Sequence, residues 1–287
     1  MKRSNLVAIT GAAALFLLAG VSACGDSGGE ETDSTTADSD PSAGPMTMGE
    51  TGTPPGPGFA ISGTAVDLFT GEPYMSAAGS VCVSIVDPVP TMEQGAAVVL
   101  ASTDLKPDGK FLVTGIMSKP EFGLIILVHD CDDSGTIVSP SASGIRPMRY
   151  MELNDGDEFP DHKAWVLDVD TVTGTDMSLQ MAGADATIAT DGAVIGYIRT
   201  KDKSAVPGAT ISCGGCPTVF YGDDEHADGI FQTMGTVNTE TSSTGLFIVP
   251  GAPVVSEYTV THPELSFPTY TLGALPGTSL TLLIDAE

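Results

Sequence analysis

Thr103-Asp104-Leu105-Lys106-Pro107-Asp108-Gly109-Lys110-Phe111-Leu112-Val113-Thr114-Gly115 returns later in the chain as Thr239-Glu240-Thr241-Ser242-Ser243-Thr244-Gly245-Leu246-Phe247-Ile248-Val249-Pro250-Gly251. In both copies a polar turn ends on Gly, where positive φ costs little, and opens a short strand whose Phe and Val alternate with their neighbours. A hairpin turn feeding a half-buried strand is written twice.

The similarity extends outward. Ile61-Ser62-Gly63-Thr64-Ala65-Val66-Asp67 leads to Gly71-Glu72-Pro73 before the first copy, and Val194-Ile195-Gly196-Tyr197-Ile198-Arg199 leads to Val206-Pro207-Gly208 before the second. Each reads as strand, polar turn and second strand. Downstream lie the corresponding strand-like stretches Leu124 to Val128 and Ser256 to Thr261, then Phe159-Pro160 and Phe267-Pro268, each pair followed by a closing strand. Elsewhere helical periodicity is scarce, and short Val, Ile, Leu and Thr runs alternate with Gly, Pro, Asp and Ser, the pattern of an all-β protein.

The ordered motifs, G-x-A/I-x-D/T-x-x-T/K-G/S with Pro shortly after, then T-D/E, four residues and G-x-F-x-V-x-G, then an aromatic-bearing strand, resemble the carboxypeptidase regulatory-like domain, a transthyretin-like β-sandwich. The resemblance covers most of residues 58–287 and implies a fold rather than a chemistry. The expectation is an all-β chain of two tandem transthyretin-like or Ig-like sandwiches, at 58–181 and 192–287. Between them 182–191, small and polar, is read as the linker.

Met1-Lys2-Arg3 and the apolar run Leu6 to Leu18 read as a leader over 1–23, because the run is shorter than the roughly 20 residues of a membrane span. Val21-Ser22-Ala23-Cys24 resembles the lipobox of bacterial lipoproteins. That resemblance implies Cys24 as an acylated, palmitate-type anchor in the cell envelope, the protein's link to the membrane. Gly25 stands where lipoproteins kept at the inner membrane often carry Asp, so in a Gram-negative host the outer membrane is expected. Residues 24–57 then hold no Lys, Arg or aromatic residue. Such a segment buries too little apolar area to offset its ordering entropy, and it is read as a disordered acidic tether.

A formal net charge of -26 excludes nucleic acid, whose phosphates require Lys and Arg. Two acidic clusters are weak metal candidates: Asp130, Asp132 and Asp133 in the first half, and Asp223, Asp224 and Asp228 in the second. Neither has the ligand spacing of a calcium loop, so solvated acidic loops are the reading and no metal or cofactor is expected. Cysteine usage says more. Beyond Cys24, two fall in each half, and an exported compartment permits the pairs Cys82 with Cys131 and Cys213 with Cys216.

Motifs for acyl transfer, zinc hydrolysis or phosphate binding are absent. The two repeat turns carry Gly and Phe for geometry, without a nucleophile beside a base. The chain therefore reads as a non-catalytic envelope lipoprotein displaying two β-sandwich modules for a structural or protein-binding role. The alternative is a glycan-binding module, with Trp165, Tyr150, Tyr221 or Tyr270 stacking on sugar rings. Partner contacts are expected on Pro88 to Ala97, Cys131 to Pro147 and Pro217 to Met234, the stretches that differ between the halves.

Overall fold

Apolar runs too short for helices and closed by Gly, Pro or Asp give strands; burial alternates along Lys110–Ile116, Leu124–Asp130 and Ser256–Thr261, whereas Val81–Val86 and Leu246–Pro250 are buried throughout. The structure, a computed structural model, describes residues 57–223, 231–233, 236–272 and 275–287. The leader over 1–23, Cys24 and the tether up to residue 56 lie outside the described residues, as do Asp224 and Asp228.

The first half runs β1 (Phe59–Asp67), β2 (Val81–Val86), α1 (Pro88–Gln94), β3 (Val99–Asp104), β4 (Lys110–Ile116), β5 (Leu124–Asp130), β6 (Val138–Ser139), β7 (Ser141–Ile145) and β8 (Glu158–Asp168). Next come α2 (Val169–Met181) and α3 (Ile188–Asp191). The second half holds β9 (Ala193–Arg199), β10 (Thr210–Cys213), β11 (Phe220–Tyr221), β12 (Gln232–Thr233), β13 (Thr236–Val237), β14 (Leu246–Pro250), β15 (Ser256–Thr261), β16 (Tyr270–Leu272) and β17 (Ser279–Asp285).

The repeated stretch folds alike in both halves. β1 pairs antiparallel with β4 and parallel with β8, just as β9 pairs antiparallel with β14 and parallel with β17. Even the turn contacts correspond. The Gly109 carbonyl accepts from Ala65 N and the Ala65 carbonyl from Tyr74 N, while the Gly245 carbonyl accepts from Ile198 N and the Ile198 carbonyl from Val206 N. Gly109 (φ 79°) and Gly245 (φ 66°) take the left-handed backbone that their turns require.

Each half is a two-sheet sandwich, and the architecture is all-β with two sandwiches in tandem. In the first, β4-β1-β8-β6 faces β7-β5-β2-β3 across Phe59, Ile61, Val83, Phe111, Ile126 and Val166. In the second, β11-β14-β9-β17 faces β10-β15-β16 across Val194, Ile198, Phe247, Tyr258, Val260 and Ile284. Full burial of such side chains contributes about 1.5–3 kcal/mol each.

The halves share more than a connection. β17 pairs in parallel with β7, Ser279 opposite Ser141 through Thr281 opposite Ser143, so two four-stranded sheets fuse into one of eight, β11-β14-β9-β17-β7-β5-β2-β3. A third apolar cluster fills the outer face of the second half's sheet. There Leu68, Leu167, Val172, Leu179 and Ile188 meet Ile195, Phe220 and Ile248. α2, which the strand pattern did not anticipate, supplies part of it. Asp168 caps the helix by accepting from Asp170 N at 2.9 Å. Its buried positions Val172, Thr175, Asp176 and Leu179 have helical spacing, with two polar members. Asp176 in turn accepts from Ile188 N and Ala189 N, which fixes α3 within the connecting segment 182–191.

Candidate functional site

Both cysteine pairs are disulfides. Cys82 and Cys131 have Cα atoms 4.9 Å apart and tie β2 to the end of β5, and Cys213 and Cys216 (5.5 Å) close a turn after β10. Asp104 Oδ1 lies 3.6 and 3.8 Å from the sulfurs of Cys82 and Cys131. Because those sulfurs are bonded to each other, the trio offers no thiolate to a metal.

Asp130, weighed as a cation ligand, is buried and committed to its own turn. Its Oδ2 accepts from Thr136 N (2.6 Å), Ser134 Oγ (2.9 Å) and Ile137 N (3.0 Å), and Oδ1 from Val138 N (2.9 Å). Burial opposes its ionisation, but the N–H groups of Ile137 and Val138 with the Ser134 hydroxyl and Thr136 N–H outweigh that and hold the carboxyl below its usual range. Asp133 bonds His129, and Asp132 accepts from Ser134 N.

The same region holds an arrangement that the sequence did not disclose. Ser84 Oγ lies 2.8 Å from His129 Nε2, and His129 Nδ1 lies 2.8 Å from Asp133 Oδ1. The order is that of nucleophile, base and orienting carboxylate. Access is what it lacks: Ser84 is 1 % exposed, and its hydroxyl also bonds Ser102 Oγ at 2.9 Å. A carbonyl carbon has no approach to that oxygen, so the relay is cross-strand polar packing between β2, β3 and β5. The signal was a lone Ser inside Val81-Cys82-Val83-Ser84-Ile85-Val86, legible only once β2 is placed beside β5.

Of the four aromatics considered for ring stacking, two are core. Tyr150 is fully buried, stacks on Phe59 and donates to the Pro120 carbonyl at 2.6 Å, and Tyr221 is 4 % exposed with Ile211 N donating to its Oη. Trp165 and Tyr270, from opposite halves, line one groove of about 980 Å³.

That groove follows the seam. Beyond Ser143 and Thr281 the β7–β17 ladder stops, although both strands run on. The floor is apolar, with Val86, Ile125, Leu127, Ala142, Leu280 and Leu282. Pro88 to Ala97 contributes α1 as one wall, whose start is set by Asp87 accepting from Val89 N and whose end is set by Gly95 at φ 69°. Phe122 (79 % exposed) and Met92 (39 %) stand at its rim.

Its electrostatics invert those of the chain. Of 11 Lys and Arg, four line the groove, namely Arg146, Lys163, Arg199 and Lys203, and no Asp or Glu is among its described lining residues. Parallel pairing of β9, β17 and β7 carries Arg199 and Arg146 to the same end of the sheet. Asp285, outside the lining, pairs with Arg199 (2.9 Å) and Lys203 (2.5 Å). Arg146 and Lys163 have no carboxylate partner among the described residues. Instead Lys163 Nζ sits 5.5 Å over Trp165 and Arg146 Cζ 5.7 Å over Tyr270, each cation against a ring face. His162 Nε2 and Thr281 Oγ1, both in the lining, are buried without a hydrogen-bond partner. Burial, with Arg149 nearby, keeps the imidazole of His162 more acidic than usual despite Asp161, so the ring is held neutral.

No protein-family model and no curated protein matches the chain. Among solved structures it is similar to the TIE protein of Bacillus anthracis (12 % identity, TM-score 0.23, covering 80 % of this chain and 34 % of that one). It is also similar to the shaft pilin SpaA of Lactobacillus rhamnosus GG (10 %, TM-score 0.23, covering 80 % and 98 %) and to GBS52, the minor pilin of Streptococcus agalactiae (9 %, TM-score 0.24, covering 79 % and 95 %). The chain spans about a third of the first of these. At such TM-scores the likenesses assign this chain neither a fold nor a role.

Proposed function

We propose that this chain is a lipid-anchored envelope protein, built from two carboxypeptidase regulatory-like sandwiches, that acts by binding and not by turnover. Cys24 holds it to the membrane and the acidic tether stands it off. The groove at the seam is the surface that meets its partner. The observation that carries this reading is the groove itself, a preformed concavity with an apolar floor and a few placed polar groups, the usual make-up of a ligand site. The one base-nucleophile relay in the described residues is closed to substrate. A glycan stacked on Trp165 and Tyr270 is the second reading, favoured by their sharing one groove. Lys163 and Arg146 already cover a face of each ring, which leaves less room for a sugar.

The test is photocrosslinking in intact envelopes from a reactive residue at Phe122, with Met177 on α2 as the remote control. Capture from Phe122 alone, lost when Gly144→Phe fills the groove, supports binding there. The backbone at Gly144 can carry a side chain, since its φ is not left-handed and no atom lies within 4 Å of where a Cβ would stand. Equal capture from both positions, or a hydrolase activity that disappears in Ser84→Ala or His129→Ala, overturns it. Cys24→Ser should release the protein from membranes, and retention with unchanged mass refutes the anchor.

A further inference from the structure

We infer that the groove takes a single-chain amphipathic anion, a carboxylate or phosphate head on an apolar body, an inference that rests on reading the groove as the binding surface. The floor and the head-group chemistry come from different parts of the lining. Val86, Ile125, Leu127, Ala142, Leu280 and Leu282 give an apolar track with no acidic or amide side chain along it. Its volume of about 980 Å³ lies at the upper end of the roughly 300–1,000 Å³ found for small-molecule sites.

Charge selects the head. Asp285 answers two of the four lining cations, and Arg146 and Lys163 are left facing aromatic rings. Arg146 donates one N–H of Nη2 to the Tyr270 hydroxyl (3.4 Å), its other guanidinium N–H groups and the Lys163 ammonium are left for a ligand, and Arg is suited to grip two oxygens of a carboxylate or phosphate at once. An uncharged amphiphile leaves the two cations unanswered, and a cationic one meets repulsion from all four. Acidic peptides match the charge but carry no continuous apolar body to cover that track.

The whole chain, carrying Cys24→Ser so that no acyl group competes, is titrated below micelle formation with decanoate, decyl phosphate, decanol, decyltrimethylammonium and an acidic decapeptide. Trp165, the chain's only tryptophan, reports occupancy by its emission, and calorimetry gives the affinity. Saturable binding of decanoate or decyl phosphate is expected, with the stronger of the two naming the head group. Decanol and decyltrimethylammonium should bind at least about tenfold more weakly, the worth of one charge-assisted hydrogen bond. The double variant Arg146→Gln with Lys163→Gln should bring the anions down to the level of decanol and leave decanol unchanged, and Gly144→Phe should abolish all binding. Equal binding of decanol and decanoate, tighter binding of the peptide, or no response to any titrant overturns the inference. If Gly144→Phe still abolishes envelope crosslinking in those cases, only the ligand class falls and the binding surface stands.

Discussion

Alanine at the repeat glycines separates two costs that a turn glycine can carry. Gly109 and Gly245 hold left-handed backbone at φ 79° and 66°. A Cβ would stand 2.7 Å from the Tyr74 carbonyl oxygen at Gly109 and 2.5 Å from the Ile198 carbonyl oxygen at Gly245. Gly208, at φ 76°, has no atom within 4 Å of the same point. Left-handed backbone costs a non-glycine residue about 1–2 kcal/mol, so Gly208→Ala should lose about 1 kcal/mol. At the repeat positions a backbone oxygen cannot swing aside as a side chain does. The Ile198 oxygen, for one, already accepts from Val206 N at 2.9 Å. Overpacking of that kind adds about 1–3 kcal/mol, which puts Gly109→Ala and Gly245→Ala near 3 kcal/mol each. Urea unfolding at unchanged m-value reads the differences directly. Equal losses at all three positions would refute the close approach and reduce the repeat glycines to backbone conformation alone.

The disulfides should differ in worth, because in the chain-entropy model the stabilisation grows with the loop closed. Separations of 49 and 3 residues give about 4 kcal/mol for Cys82–Cys131 and about 2 for Cys213–Cys216. Paired Cys→Ala variants in the same urea assay should keep that order, and a reversal contradicts it. Burial pushes the phenols of Tyr74, Tyr197 and Tyr258 up to about 12, with Asp168 adding at Tyr74 and Asp67 at Tyr197. Since the fold favours the neutral phenol, this stability is complete below about pH 10, where the unfolded phenol starts to ionise, and is lost as pH rises toward 12. Absorbance titration should show these three ionising only as the chain unfolds, and all six tyrosines titrating near pH 10 in the folded protein would contradict the burial argument.

The strands were legible because each carries its own signal. The alternation of Phe111 and Val113 with their neighbours survives into the structure as alternating burial, and the strand-length apolar run Leu124 to Val128 forms a strand as well. So was the pairing of cysteines, since two fell in each half. α2 was hidden because Thr175 and Asp176 occupy half of its buried stripe, so the helical spacing does not appear as a hydrophobic one. The fusion of the sheets was hidden for a different reason. Ser141 to Ser143 and Ser279 to Thr281 form the joint, and nothing local in either segment names the other as its partner, because parallel pairing across more than a hundred residues leaves no turn signature. The groove is a consequence of that joint. Its lining comes from both halves, so its residues could be listed singly but not gathered: Trp165 and Tyr270 came forward together with Tyr150 and Tyr221, and only tertiary placement separates the two pairs.

Charge gives the strongest reason to regard the seam as built for a ligand and not left over from fusion. Acidic residues make up 37 of 287, so a lining drawn at random would carry about one carboxylate in every eight positions, and the described lining carries none. Solubility explains the acidic exterior without reference to any partner. It does not explain why that exterior stops at the groove. Core packing does not explain it either, because Arg146 and Lys163 are exposed and apolar neighbours such as Phe122 are left in water. A merely structural seam between two acidic sandwiches would be expected to pair its cations with the carboxylates abundant around it, as Asp285 does for Arg199 and Lys203. Two cations held on aromatic rings beside an apolar track, in a chain rich in unused carboxylates, are placed for an anion that arrives from outside.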